Sequence, residues 1–178
     1  REQNKAAVLF PEKINGLYVA LNRPETLFEF SKPSIWISYS PDLQFWGKDK
    51  SLVRPRKNSW ESQRIGAGCV PIKTKNGWLV IYHGVSIENE ANVYSVGVVL
   101  LDKKNPEKII ARTPHSKPLF KPTTDYEKSG FTKNVVFPTG AIVDKNNKDI
   151  LIYYGAGDSN IGVIKMDINE ILNSMNFY

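Results

Sequence analysis

A strand–turn–strand pattern that recurs three times constrains this chain more than any other feature. The segments Leu17-Tyr18-Val19-Ala20-Leu21-Asn22, Trp78-Leu79-Val80-Ile81-Tyr82-His83 and Ile150-Leu151-Ile152-Tyr153-Tyr154-Gly155 are short, apolar and rich in β-branched and aromatic residues, as strands are. A turn precedes each one. Asn15-Gly16 and Asn76-Gly77 lead into the first two, and Asp144–Asp149, with Asn146-Asn147 in place of Asn-Gly, leads into the third. Asn and Gly tolerate positive φ and so favour tight hairpins. A further strand precedes two of the turns, at Val8–Phe10 and Pro71–Lys73. A third strand follows each repeat, at Ile35–Ser40, Tyr94–Leu101 and Ile161–Asp167.

The repeats stand roughly sixty to seventy residues apart, room for about four strands and a long loop, which is the size of a propeller blade. The reading is therefore all-β, with units near 5–57, 58–122 and 123–178. Helix signals are few; the one candidate is 167–174, with Asp167 as N-cap. Three blades cannot close a ring, and open blades leave strand edges and apolar faces in water. The strand pattern begins within a few residues of Arg1, and the last unit has no room for a fourth strand after Leu172. Both features create the expectation of missing N-terminal blades or a second chain, of a last blade left incomplete, and of self-association.

Composition narrows the function. The 178 residues carry 24 Lys and Arg against 18 Asp and Glu, a net charge of +6, but the basic runs are short, as in Lys103-Lys104 and Arg54-Pro55-Arg56. That argues against nucleic acid and suits a site for a small anion. No apolar run is long enough for a membrane helix. Cys69 is the lone cysteine and reads as a small buried apolar residue; with no disulfide possible, a cytoplasmic location is expected, with the periplasm as the other option. Two distant histidines make no metal signature, and no phosphate-binding glycine loop or nucleophile elbow is present.

Propellers place their sites where inner strands converge, so residues at strand ends are the candidates. These are Glu12 and Lys13 before the first turn, Arg23 ahead of Pro24, Arg64 ahead of Ile65-Gly66-Ala67-Gly68, the Tyr82-His83-Gly84 strand end, and Asp158 after Gly155-Ala156-Gly157. Each also has an ordinary structural reading: a solvated pair, a loop-bonding arginine, a core histidine, a turn aspartate. His115 reads as a surface loop residue.

Taken in order, Phe10-Pro11-Glu12-Lys13-Ile14-Asn15-Gly16, Arg23-Pro24, Ile35–Leu43, Arg64-Ile65-Gly66-Ala67-Gly68, Gly77–Gly84, Phe137-Pro138-Thr139-Gly140 and Tyr153–Asp158 resemble glycoside hydrolase family 130 over nearly the whole chain. The resemblance implies a partial five-bladed β-propeller of about three blades. It further implies an inverting glycoside phosphorylase that cleaves β-mannosides with inorganic phosphate as co-substrate, releases mannose 1-phosphate and needs no other cofactor. It places Lys13, Arg64, His83 and Asp158, with Tyr82 and Arg23, at or near phosphate and the cleaved sugar. The family's catalytic acid is an Asp of an earlier blade, so no catalytic residue is assigned here, and the chain alone is expected to be inactive. Asn22 stands where the family often has His, and Cys69-Val70 replaces a more Pro-rich stretch. Two alternatives stay open. One is a β-mannoside hydrolase, with Glu12 or Asp158 as the candidate base. The other is a non-catalytic sugar-binding or assembly module, stacking sugars on Trp60, Tyr82 and Tyr154.

Overall fold

The structure is a computed structural model that describes residues 3–25, 31–146 and 148–178. It is all-β, with two short helices. Strands β1 (Asn4–Leu9), β2 (Tyr18–Pro24), β3 (Ile35–Ser40) and β4 (Gly47–Val53) form a four-stranded antiparallel sheet in chain order. A second sheet is built on β7 (Trp78–Glu88) and β8 (Ala91–Leu101), with β5 (Arg64–Ala67) and β6 (Ile72–Lys73) successively along one side of β7, and β9 (Ile109–Arg112) outside β8. The third contains β10 (Val136–Val143), β11 (Asp149–Ala156) and β12 (Asn160–Asp167). Helix α1 (Asp125–Lys128) precedes β10; α2 (Ile168–Asn173) follows β12.

Local chemistry explains most of this. Asn15 and Gly16 take φ of 51° and 81°, the left-handed pair that a two-residue hairpin requires, and so return β1 onto β2. The Asp144 carboxylate accepts from the backbone N–H groups of Lys148 and Asp149 and closes the β10–β11 turn; Asn147 of that turn lies outside the described residues. Asp167 caps α2 as its sequence suggests, accepting from Asn169 N at 2.7 Å and Glu170 N at 3.2 Å. The chain end differs from the sequence reading. After α2 a two-residue strand, β13 (Asn176–Phe177), crosses to the outer edge of the second sheet and pairs with β9, while among the described residues no further strand lies beside β12.

The sheets stack in sequence order through two cores. Val19, Leu21, Ile35 and Ile37 of the first sheet meet Ile65, Trp78, Val80 and Tyr82 of the second. Leu79, Ile81, Val96 and Val98, on the other face of the second, meet Val136, Ile150, Ile152 and Tyr154 of the third. Strand alternation assigns these faces: β7 is buried on both, so its sequence is continuously apolar rather than alternating. Each large aliphatic side chain removed from water in this way contributes about 1.5–3 kcal/mol. Cys69 is part of the second core, where burial pushes its thiol up to about 12.

The outer face of the third sheet is different. Ile142, Leu151, Tyr153, Ile161 and Val163 share it by register, and Ile161 is 85% exposed.

Candidate active site

Where the three sheets meet, β1 lies against β5 and β10 lies against β7 and β8, and the functional side chains gather near the first residues of β1, β5 and β10. The register builds this place. Arg64 is opposite Val85, which is opposite Tyr94; Gly66 is opposite His83, which is opposite Val96. Arg64, His83 and Tyr94 therefore sit on the β7 face that looks toward the third sheet. The Arg64 guanidinium lies over the Tyr94 ring at 5.3 Å and donates to the Tyr94 hydroxyl. The His83 ring packs against Phe137 of β10, with centroids 4.3 Å apart, and against Tyr94 at 6.3 Å.

Arg23 reaches this cluster from the first sheet. Its Nη1 lies 2.8 Å from His83 Nε2, while its Nη2 and Nε donate to Glu25 Oε1 at 2.7 and 3.1 Å. The approach depends on Gly66. A Cβ there would stand 2.6 Å from His83 Cε1 and 3.0 Å from Nε2, so the missing side chain is the space that the imidazole occupies. The close approach at Gly66 is made by the His83 side chain.

The electrostatics separate the cations. Arg23 is nearly buried and spends its donors on Glu25 and His83. Arg64 is partly exposed, and no carboxylate among the described residues lies within ion-pair reach of it. It keeps unspent N–H donors in a planar fork suited to an oxyanion. His83 is fully buried; desolvation first, then the charges of Arg23 and Arg64, push its pKa down to about 3, so it is neutral near pH 7.

Of the six residues that the resemblance places at or near phosphate and sugar, Arg23, Arg64 and His83 come together and three do not. Lys13 is exposed at the hairpin, its Nζ 4.2 Å from the Tyr18 ring centroid. Tyr18 and Arg23 open and nearly close β2, five residues apart, which is about 16 Å of strand. Lys13 thus stands at the wrong end of the sheet to share a small anion with Arg64 and His83. Glu12, beside it, pairs with Lys73 near the start of β7. Tyr82 precedes His83 in the strand and so points to the opposite face. There it is fully buried, donating to Glu61 Oε2 at 2.6 Å and accepting from Arg112 Nε at 3.1 Å. Asp158 is at the correct end of its sheet but sits exposed at the β11–β12 turn, with φ of 52°.

The aromatics proposed for sugar stacking are occupied. Trp60 is 6% exposed and lies across Gly84 and Gly97, stacked on Tyr82 at 5.8 Å. Tyr154 packs over Gly162 and donates to Glu127 Oε1 at 2.8 Å. His115 is exposed, its Nε2 2.8 Å from Lys57 O.

Antiparallel sheets stacked side by side in chain order, with an arginine-bearing site at their inner edges, are the architecture of the β-propeller class. The chain belongs to glycoside hydrolase family 130: the family model, described as beta-1,4-mannooligosaccharide phosphorylase, matches residues 2–177. A 1,2-beta-oligomannan phosphorylase of Thermoanaerobacter sp. (strain X514) is 45% identical over 96% of this chain and 53% of its own length. A beta-1,4-mannooligosaccharide phosphorylase of Ruminococcus albus is 38% identical over 96% of this chain and 50% of its own. Among solved structures, beta-1,2-mannobiose phosphorylase from Listeria innocua in complex with beta-1,2-mannobiose superposes with a TM-score of 0.88 at 43% identity, over 97% of this chain and 46% of that one. The chain spans about half the length of the relatives it matches.

Proposed function

We propose that this chain is the C-terminal half of a five-bladed propeller phosphorylase that cleaves β-mannosides with inorganic phosphate. One observation carries the reading: Arg64, a cation with unspent donors, stands where three sheets converge, beside a neutral histidine and an aromatic wall. A phosphate oxygen attacks the anomeric carbon from the side opposite the leaving group, and the glycosidic C–O bond breaks. A carboxylic acid supplied by the remaining blades protonates the departing oxygen. The products are mannose 1-phosphate of inverted configuration and the shortened saccharide. Phosphate arrives already anionic and needs no general base; it needs fixed donors that hold it in line. Arg64 provides the charged fork, and the Phe137 strand borders the space for sugar.

The length of the relatives and the bare apolar face of the third sheet support further blades covering Ile142, Ile161 and Val163. Without them, this face favours self-association. Of the two candidate bases of the hydrolase alternative, Glu12 pairs with Lys73 away from the site, so that alternative rests on Asp158 alone. The sugar-stacking alternative loses support because Trp60, Tyr82 and Tyr154 are buried. The test is to incubate the whole protein with β-1,2- and β-1,4-mannobiose, with and without phosphate. Mannose 1-phosphate formed only with phosphate is the expected result; free mannose released at the same rate in its absence would replace this reading with hydrolysis.

A further inference from the structure

An arginine side chain carries only donors, whereas an imidazole nitrogen either donates or accepts. The 2.8 Å contact between Arg23 Nη1 and His83 Nε2 therefore has one chemically consistent form: Arg23 donates, Nε2 accepts with its lone pair, and the proton of the neutral ring is on Nδ1. We propose that Arg23 is a positioning residue that holds His83 as the neutral Nδ1–H tautomer, so that His83 serves the site as an uncharged donor and never as a cation or an acid. The proposal rests on the phosphorylase reading for its meaning, but the tautomer itself follows from geometry alone.

Four features fix the arrangement. Glu25 holds the other edge of the Arg23 guanidinium through Nε and Nη2, so the arginine is oriented before it meets the ring. Gly66 leaves the space that the Cε1–Nε2 edge of the ring fills. Phe137 packs on the imidazole and limits its tilt. The ring nitrogen left over, Nδ1, is buried and has no partner among the described residues, an unspent donor of a kind that buried polar groups rarely leave unused. Among the described residues, the groups facing the ring are cationic or neutral: Arg23 from β2, Arg64 from β5, Tyr94 from β8 and Phe137 from β10. Glu25 reaches the ring only through Arg23. This surrounding opposes a second proton, in agreement with the low pKa of the group.

The consequence concerns charge. In the neutral form His83 adds direction but no charge, so phosphate is attracted chiefly by Arg64. The acceptor for Nδ1–H is an oxygen, from phosphate or from a sugar hydroxyl.

The chain has two histidines, so ¹⁵N-histidine labelling gives a readable spectrum. His83 should show the neutral Nδ1–H pattern throughout pH 5–8, and Arg23→Met should lose it, giving a mixture of tautomers or a titrating ring. Adding inorganic phosphate in one arm and β-mannobiose in another should move the Nδ1 resonance in at least one, and the arm that moves it names the oxygen. A neutral Nε2–H ring or an imidazolium at pH 7 in the unaltered protein would overturn the proposal, even if Arg23→Met fails to fold. An Arg23→Met protein that keeps the Nδ1–H pattern while losing phosphate affinity tenfold would also overturn it, by showing that Arg23 binds the anion directly. If neither ligand moves Nδ1, its role as a donor to ligand is refuted. None of these outcomes depends on turnover, so they stand apart from a failure of the phosphorylase reading.

Discussion

Gly66→Ala is the most direct structural perturbation of the site. The new methyl would stand 2.6 Å from His83 Cε1, 3.0 Å from Nε2 and 3.1 Å from the Ala6 Cβ. The imidazole is rigid, and Phe137 lies behind it with centroids 4.3 Å away, so it cannot retreat far. Overpacking of this kind costs about 1–3 kcal/mol. Displacing the ring also breaks its hydrogen bond to the Arg23 guanidinium, which contributes about 1.5–3 kcal/mol as a bond to a charged group. The two effects overlap, because a ring that moves relieves the clash while losing the bond, so the expected loss is about 2–4 kcal/mol. For a chain of this size that is a fall in Tm of roughly 5–15 °C, measured by circular dichroism. Gly140→Ala is the control: an added Cβ there meets nothing within 4 Å, and the substitution should leave stability unchanged or raise it by about 0.4–1 kcal/mol. A Gly66→Ala protein that melts within 1 °C of the parent would refute the steric argument and with it the account of how Arg23 reaches His83.

Two further outcomes follow. Glu61 is fully buried among Arg56, Arg112 and the Tyr82 hydroxyl, so Glu61→Gln should cost about 3–5 kcal/mol by leaving two arginines without their counter-charge, seen as a lower urea midpoint. His83, with a pKa near 3 when folded against 6.5 ordinarily, is a lowered group: the unfolded chain binds its proton first, so this contribution to stability is complete above pH 6.5 and is lost as pH falls toward 3. The slope approaches about 1.4 kcal/mol per pH unit within that window, and urea titrations at several pH values should show that His83→Asn removes it.

Much of the fold was legible because its signals are local. The Asn15-Gly16 hairpin, the Asp167 cap and the repeating apolar strands each follow from neighbouring residues. The site was legible in part. Lys13 and Arg23 flank one strand, and the length of that strand alone separates them; treating both as strand ends overlooked that a strand has two. Tyr82 and His83 are consecutive, and alternation sends them to opposite faces, one into an ion cluster and the other toward the site. The packing of Tyr94 and Phe137 against His83 could not be found from local pattern, because it depends on register and on sheet-to-sheet packing between distant segments. The route of the chain end to β9 is likewise a non-local pairing of two residues.

Phosphate titration calorimetry with single substitutions tests the central claim most directly. A charged hydrogen-bonding partner contributes about 1.5–3 kcal/mol, so Arg64→Ala should weaken inorganic phosphate binding by about tenfold to a hundredfold. Lys13→Ala, at the far end of β2, should leave it within about twofold of the parent. Normal phosphate affinity in Arg64→Ala, with the loss appearing in Lys13→Ala instead, would contradict the placement of the anion site at the meeting of the three sheets.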